Sequence, residues 1–254
     1  MKRFTESIAR WLRAYAEKDG RGYPDWAMRY VPIVRRLRRM NRLDGRILEI
    51  GANENGLSRF SGRRVIAVDV AVDHLKAARG AQRVVPVAAD IAHLPFADGA
   101  FDLCVCVDTF EHLPDTARAA ATVSILRVLH GDGAAVVAFP SGEHARRAEE
   151  TVREAHRRFT GGSIRWLEEH RTMGLPDAKA IARQFEGAAG DARRISMESN
   201  VPVRLWTWMW LVLMGNWPGR GNAVAQAALR LITPVLCAMR WGTAYRCVIW
   251  ILPK

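Results

Sequence analysis

Five short apolar, β-branched runs, each stopping at a turn or a polar residue, constrain this chain more than any other feature. Arg46–Ile50 runs into a glycine-containing turn, Val65–Val68 stops at Asp69, and Val84–Ala88 stops short of Asp90. Leu103–Val107 stops at Asp108, and Ala134–Phe139 stops at Pro140 and Ser141. Helical segments fall between several of them: Val72–Arg79, and Thr116–Leu129, which Pro114-Asp115 opens and Gly131 closes. Strands alternating with helices imply a parallel, doubly wound sheet. The runs lack strict alternation, as strands covered on both faces do. Only Gly51 to Arg64 joins the first two strands, so the helix between them cannot exceed two turns.

Further along, Gly142–Arg171 is a polar stretch rich in His and Arg, with no element assigned to it. A helix is expected from Pro176-Asp177 to Glu186, a sixth strand over Arg193–Ser199 and a seventh over Tyr245–Leu252. Residues 1–42 read as two helices. Phe4, Ile8, Trp11, Leu12 and Tyr15 share a face of the first, and Arg35, Arg36, Arg38, Arg39 and Arg42 make the second basic. The expected division is an N-terminal helical segment, 1–42, and an α/β domain, 43–254. Within the domain, 201–243 is an apolar, Trp-rich helical insert and 244–254 is the last strand.

The formal net charge of +12 suggests an anionic partner or, equally, solvated surface arginines. Cys104, Cys106, Cys237 and Cys247 form no CxxC pair and have no nearby His set, so no metal site is expected and buried free thiols in a reducing, cytoplasmic compartment are. The N-terminus lacks the continuous apolar stretch of a signal peptide, and no uncharged run suggests a membrane span.

Ligands of an open parallel sheet bind beyond the carboxyl ends of its strands. Gly51–Asn55, Asp69, Asp90 and Asp108 all fall there. In the first turn, Gly51 and Gly56 leave room for a nucleotide to approach the backbone, and Asn53 and Asn55 tolerate positive φ. Asp69 lies 20 positions after Glu49, a spacing that suits a carboxylate accepting from both ribose hydroxyls and rejecting a 2′-phosphate.

The stretches ILEIGANENGLSRF, VIAVDV, AADIAHLPFADGAFDLCVCVDTFEHL and RVLHGDGAAVVAFP, within residues 46–140, resemble the motif series of class I S-adenosylmethionine-dependent methyltransferases of the type 11-like kind. The resemblance implies a Rossmann-like, seven-stranded, mostly parallel sheet with helices on both faces, and S-adenosyl-L-methionine as cofactor. By position, Glu49 and Gly51 would line the methionine portion, Asp69 would hold the ribose, and Asp90 would bond the adenine amino group with Ile91 packed on the ring. Ala52, Asn53 and Val70 complete the cofactor-binding set. Asp108 and Phe110 would border the methionine end and the acceptor pocket. The family usually has glycine where this chain has Asn53.

Methyl transfer from a sulfonium needs alignment and exclusion of water, and a hydroxyl acceptor also needs a base. His112, after the fourth strand, is the leading base candidate, with Asp108 beside it; its competing role is packing or capping under the pocket. His144 and His170 are second candidates, read first as surface residues.

The segment from Arg165 to Pro176 loosely resembles methyltransferases of bacterial cell-envelope glycan synthesis, which implies O-methylation of a saccharide or lipid-linked acceptor. In the insert, Trp206, Trp208, Trp210 and Trp217 crowd together, and Gln226, Arg230, Thr233 and Arg240 share one helical face, with a kink at Pro234. Such a hairpin suits peripheral contact with an anionic inner-membrane surface or a lid over a hydrophobic acceptor; a homodimer interface or a second small core is the alternative. The competing functions are RNA methylation and a non-catalytic interaction module. Against nucleic acid, the fourth strand lacks the Asn/Asp-Pro-Pro-aromatic pattern and no Pro-Cys pair is present.

Overall fold

A computed structural model describes residues 23–51, 56–79, 83–214, 220–239 and 242–254. The expected first helix, Ala52, Asn53, Asn55, Trp217 and Arg240 lie outside the described residues.

Seven strands form one sheet in the order β3-β2-β1-β4-β5-β7-β6. They are β1 (Ile47–Ile50), β2 (Val65–Asp69), β3 (Val84–Ala88), β4 (Phe101–Val107), β5 (Leu129–Pro140), β6 (Arg193–Pro202) and β7 (Ala244–Pro253). The pairs among β1 to β5 are parallel, and β7 runs antiparallel to both β5 and β6. The Rossmann-like class expected from the sequence is therefore what the chain adopts.

Side chains on successive strand residues point to opposite faces, and two cores follow. Leu48, Ile50, Cys104, Cys106, Val137 and Ile249 pack on one face beneath α4 (Asp115–Val128) and α7 (Ala178–Ala189). Ile47, Ala67, Leu103, Val105, Val136 and Trp250 pack on the other against Tyr30, Ile33, Val34 and Leu37 of α1 (Tyr23–Arg39). All four cysteines are free thiols, and burial pushes Cys104 and Cys106 far above the ordinary thiol range. Between β1 and β2 stands a single five-residue helix, α2 (Leu57–Ser61), as the short connection requires. The α3 helix (Val72–Arg79) leads into β3.

The polar stretch 142–171 is not irregular. It holds two helices, α5 (Gly142–Thr160) and α6 (Arg165–Met173). The buried stripe of α5 is built from small residues, Ala145, Ala148 and Val152, so its apolar signal is faint. Pairs at helical spacing, Glu143 with Arg147 and Arg165 with Glu169, mark both segments.

The insert forms α8 (Val203–Met214) and α9 (Arg220–Leu236). Both join a third core with α5, α6 and the start of β7. Trp206 is fully buried, its ring stacked 3.8 Å from that of Tyr245, whereas Trp208 is exposed. The second small core named as an alternative for the insert is present. The basic patch of α1 is partly consumed by the fold: Arg36 pairs with Glu198, Arg38 donates to the carbonyls of Phe60 and Ser61, and Arg42 to that of Asp132. Arg35 and Arg39 stay exposed.

Removing the Trp206 side chain leaves a cavity where two helices meet the sheet. Trp206→Ala is expected to cost about 3–5 kcal/mol in urea unfolding, and the exposed Trp208→Ala less than about 1 kcal/mol. Equal losses would show that the insert does not dock through Trp206.

Candidate active site

The carboxyl edge of β2, β1 and β4 is shaped by two glycines whose places no other residue could take. Gly51 has φ of +74°, and a Cβ there would lie 1.8 Å from Thr109 Oγ1. A Cβ on Gly56 would lie 2.3 Å from Glu49 Oε1. Gly56 thus packs directly on the Glu49 carboxyl.

Glu49 is buried. Its Oε1 accepts from the Leu57 N–H at 2.6 Å, at the start of α2, and Tyr30 also bonds to it. Burial outweighs both contacts and raises its carboxyl to about 7. Expected along the methionine portion of a cofactor, the Glu49 side chain is turned inward, where it bonds the start of α2.

Asp69 and the residues leading to Asp90 end neighbouring strands, with Asp69 opposite Ala88 in register. The two acids are built alike. Asp69 Oδ1 accepts from Ala71 N–H at 2.7 Å and Asp90 Oδ1 from Ala92 N–H at 2.8 Å. The other oxygen of each faces a surface histidine, His74 at 3.4 Å and His93 at 3.8 Å. Val70, next to Asp69 in the chain, is 69% exposed, an apolar surface that the interior does not use. Ile91, by contrast, is buried in the core beneath and offers a ligand no more than its edge.

Phe110 departs from its expected place at an acceptor pocket. It is fully buried, stacked 5.9 Å from Phe139 and 6.4 Å from Phe185, because the turn Phe110–His112 tucks it under the sheet edge. Asp108 is likewise not a free carboxylate. It adopts φ of +52° and is gripped by Arg246 through contacts of 2.6, 2.8 and 2.9 Å and by Arg29 at 2.9 Å. Arg29 also pairs with Asp25. Burial works to raise the Asp108 carboxyl, but Arg246 and Arg29 outweigh it and hold the group below its ordinary value. A carboxylate held this way is a poor proton acceptor, so the catalytic role expected of Asp108 becomes a positioning one.

His112 sits in a cluster that sequence reading largely missed. Its Nδ1 meets Glu169 Oε2 at 3.1 Å, and its Nε2 lies 3.4 Å from His170 Nε2. His170 is not a surface residue: it is 4% exposed, its Nδ1 is 2.9 Å from Glu149 Oε1, and that oxygen also accepts from the Tyr245 hydroxyl at 2.6 Å. Glu111 lies buried beside them, its carboxyl raised well above the ordinary range by burial and by the Asp108 charge. Burial and the neighbouring His170 lower His112 from its ordinary value. His144 is exposed, as expected.

Comparison with known proteins decides what this edge belongs to. The Methyltransferase domain family matches residues 48–137. The stretch from β1 to β5 thus matches a methyltransferase domain, and the rest of the chain lies outside that match. The chain is 38% identical over 98 residues to the malonyl-[acyl-carrier protein] O-methyltransferase of Geobacter sulfurreducens, a match covering 35% of this chain and 36% of that protein. The fold is similar over 95% of both chains to the PH0226 protein from Pyrococcus horikoshii OT3, with a TM-score of 0.56 and 16% identity. It is also similar to a putative sarcosine dimethylglycine methyltransferase from Galdieria sulphuraria, with a TM-score of 0.56 and 12% identity over 85% of this chain and 82% of that one.

The residues at this edge suit the adenosyl end of S-adenosylmethionine: two acids at neighbouring strand ends, each bonded through one oxygen to a backbone N–H, with the exposed Val70 following Asp69. Glu49 serves the domain differently, and its raised carboxyl has a consequence. Folding stabilises the protonated form, so its contribution is fully present below pH about 4.5 and is lost as pH rises through about 7. Relative to Glu49→Gln, the ligand-free wild type is expected to lose up to about 3 kcal/mol of stability over that window in urea titrations. A flat difference would mean that Glu49 titrates normally.

Proposed function

We propose that this chain transfers a methyl group from S-adenosylmethionine to an oxygen of a saccharide, lipid-linked or other small hydrophobic acceptor at an anionic membrane surface. The cofactor supplies an activated methyl on a sulfonium. The observation that carries the reading is the pair of matched acids at the tips of neighbouring parallel strands. In this reading Asp69 accepts from the ribose hydroxyls and Asp90 from the adenine amino group, with Val70 against the ring. His112, on the turn after β4, is the side chain through which an acceptor hydroxyl would be activated. The relative from Geobacter sulfurreducens is named as an O-methyltransferase, which favours oxygen as the acceptor atom.

Support for the membrane comes from α9, which buries Leu229 and Leu236 together with polar residues and leaves a second apolar face outside. Its polar residues Gln226, Arg230 and Thr233 are buried, Arg230 lying 4.5 Å from the Tyr23 ring centroid and Thr233 bonding back to the Leu229 carbonyl. Its apolar Val224, Leu231, Ile232 and Val235 face outward, Leu231 being 69% and Val235 65% exposed. No described helix is long and apolar enough to cross a membrane. A helix lying along the interface needs only such a face, and the exposed Arg35 and Arg39 would add attraction to anionic headgroups.

Calorimetry with S-adenosylmethionine should show micromolar binding, weakened at least about tenfold by Asp69→Ala, since buried hydrogen bonds to the ribose would be lost. A folded chain that binds none would end the enzyme reading and favour an interaction module. Separately, Leu231→Glu with Val235→Glu should reduce co-sedimentation with anionic liposomes while leaving cofactor affinity intact. Equal pelleting would instead assign the α9 face to a protein partner or a second copy of the chain.

A further inference from the structure

The two histidines of the site face each other in a way that neutral imidazoles do not adopt unaided. His112 Nε2 and His170 Nε2 are 3.4 Å apart. Behind each ring, Nδ1 meets a carboxylate, Glu169 at 3.1 Å for His112 and Glu149 at 2.9 Å for His170. A carboxylate accepts, so each Nδ1 carries a ring hydrogen, and with both rings neutral each Nε2 is left with its lone pair. Two lone pairs aimed at one another repel unless something positive lies between them. A third donor stands beside them: Glu111 Oε1 is 3.9 Å from His170 Nε2, and Glu111 Oε2, on the same buried carboxylate, has no hydrogen-bond partner.

We propose that Glu111, His112 and His170 bind one divalent first-row transition-metal ion, with zinc(II) the best fit, at the carboxyl edge of β4. One donor atom from each residue lies within 4.8 Å of the others. Two metal–nitrogen bonds of about 2.1 Å at a tetrahedral angle place their nitrogens about 3.4 Å apart, which matches the observed separation. Glu149 and Glu169 hold the outer ring nitrogens, the arrangement by which carboxylates orient metal-binding histidines and raise their basicity. Two imidazoles with one carboxylate select zinc or its neighbours over magnesium and calcium, which prefer oxygen throughout. Three protein ligands leave a fourth position open, as catalytic rather than structural zinc sites do. The partly exposed His112 marks the side from which a further ligand can enter. Trp166, its ring 5.2 Å from that of His170, keeps the buried histidine in place.

The site stands on geometry alone; its use rests on the methyl-transfer reading. In that use His112 is a ligand, not a base. An acceptor hydroxyl entering the open position loses its proton to solvent and turns its oxygen toward the methyl carbon. The O–CH3 bond forms as the S–CH3 bond breaks, and the sulfonium becomes a neutral thioether.

The test titrates the full chain, stripped with a chelator, with zinc(II) against a chromophoric competitor and with cobalt(II) by visible absorption. The expected result is one equivalent bound, with the cobalt bands of a tetrahedral site. His170→Ala and Glu111→Gln should each weaken binding by roughly a hundredfold, and Glu149→Gln, one bond removed from the ion, by roughly 10- to 100-fold. Circular dichroism checks that each variant folds. The proposal is overturned if the folded wild type takes up neither metal, or if uptake persists in the His112→Ala, His170→Ala double variant. Nitrogen NMR showing one proton shared between the two rings of a metal-free, metal-refusing chain would also overturn it. Calorimetry with S-adenosylmethionine runs in parallel. Cofactor binding without zinc binding sinks the metal site alone, and zinc binding without cofactor binding sinks the methyl-transfer reading alone.

Discussion

The start of β7 is where this structure is tied together. Tyr245 and Arg246 are consecutive residues of one strand, so their side chains leave it on opposite sides. Arg246 reaches Asp108 at the tip of β4 and lies 3.7 Å from Asp25 of α1, while Arg29 of α1 closes the group from the other side. Two acids and two arginines in a buried site sum to zero charge. Each member is needed because the loss of any one leaves an uncompensated charge away from water, which costs several kcal/mol. Tyr245 meanwhile bonds Glu149, which orients His170, and stacks on Trp206, which docks the insert. The N-terminal helix, the tip of the fourth strand, the histidine pair and the Trp-rich hairpin thus share one anchor.

Strands and helices were legible because burial on both faces leaves its mark in composition: β-branched runs, acids where they end, and glycine where the chain turns back. The short α2 and the Asp177 cap of α7 followed from loop length and local chemistry. What local pattern cannot carry is the identity of a distant partner. Glu49, Asp69, Asp90 and Asp108 look equivalent in sequence, each a polar group at a strand end. Two of them meet only a backbone N–H and a surface histidine, and the other two are consumed, Glu49 by Leu57 and Tyr30 and Asp108 by Arg246 and Arg29. Arg246 is 138 residues from Asp108, and nothing near the acid announces it. His170, 58 residues from His112, was hidden for the same reason, and further because α5 and α6 carry so thin an apolar stripe.

The insert shows how a correct periodicity can mislead about orientation. Gln226, Arg230 and Thr233 do share a helical face, but that face turns inward. Arg230 can be buried there because its cation lies against Tyr23, and Thr233 because it bonds to its own backbone one turn earlier. A polar face satisfied inside leaves an apolar one outside, which water does not favour.

The same hairpin is in contact with the chemistry. Trp166 of α6 lies 5.2 Å from Trp210 and 6.3 Å from Trp206 of the insert, and 5.2 Å from His170 on its other side. One indole therefore separates the helices with the outward apolar face from the histidine pair. A change in how α8 and α9 seat, through contact with a membrane or with a greasy acceptor, would press on Trp166 and through it on the ring that faces His112. Close-packed aromatic groups transmit such a shift because no void absorbs it. The outward apolar face of α9 and the histidine pair are thus mechanically one unit, joined through Trp166.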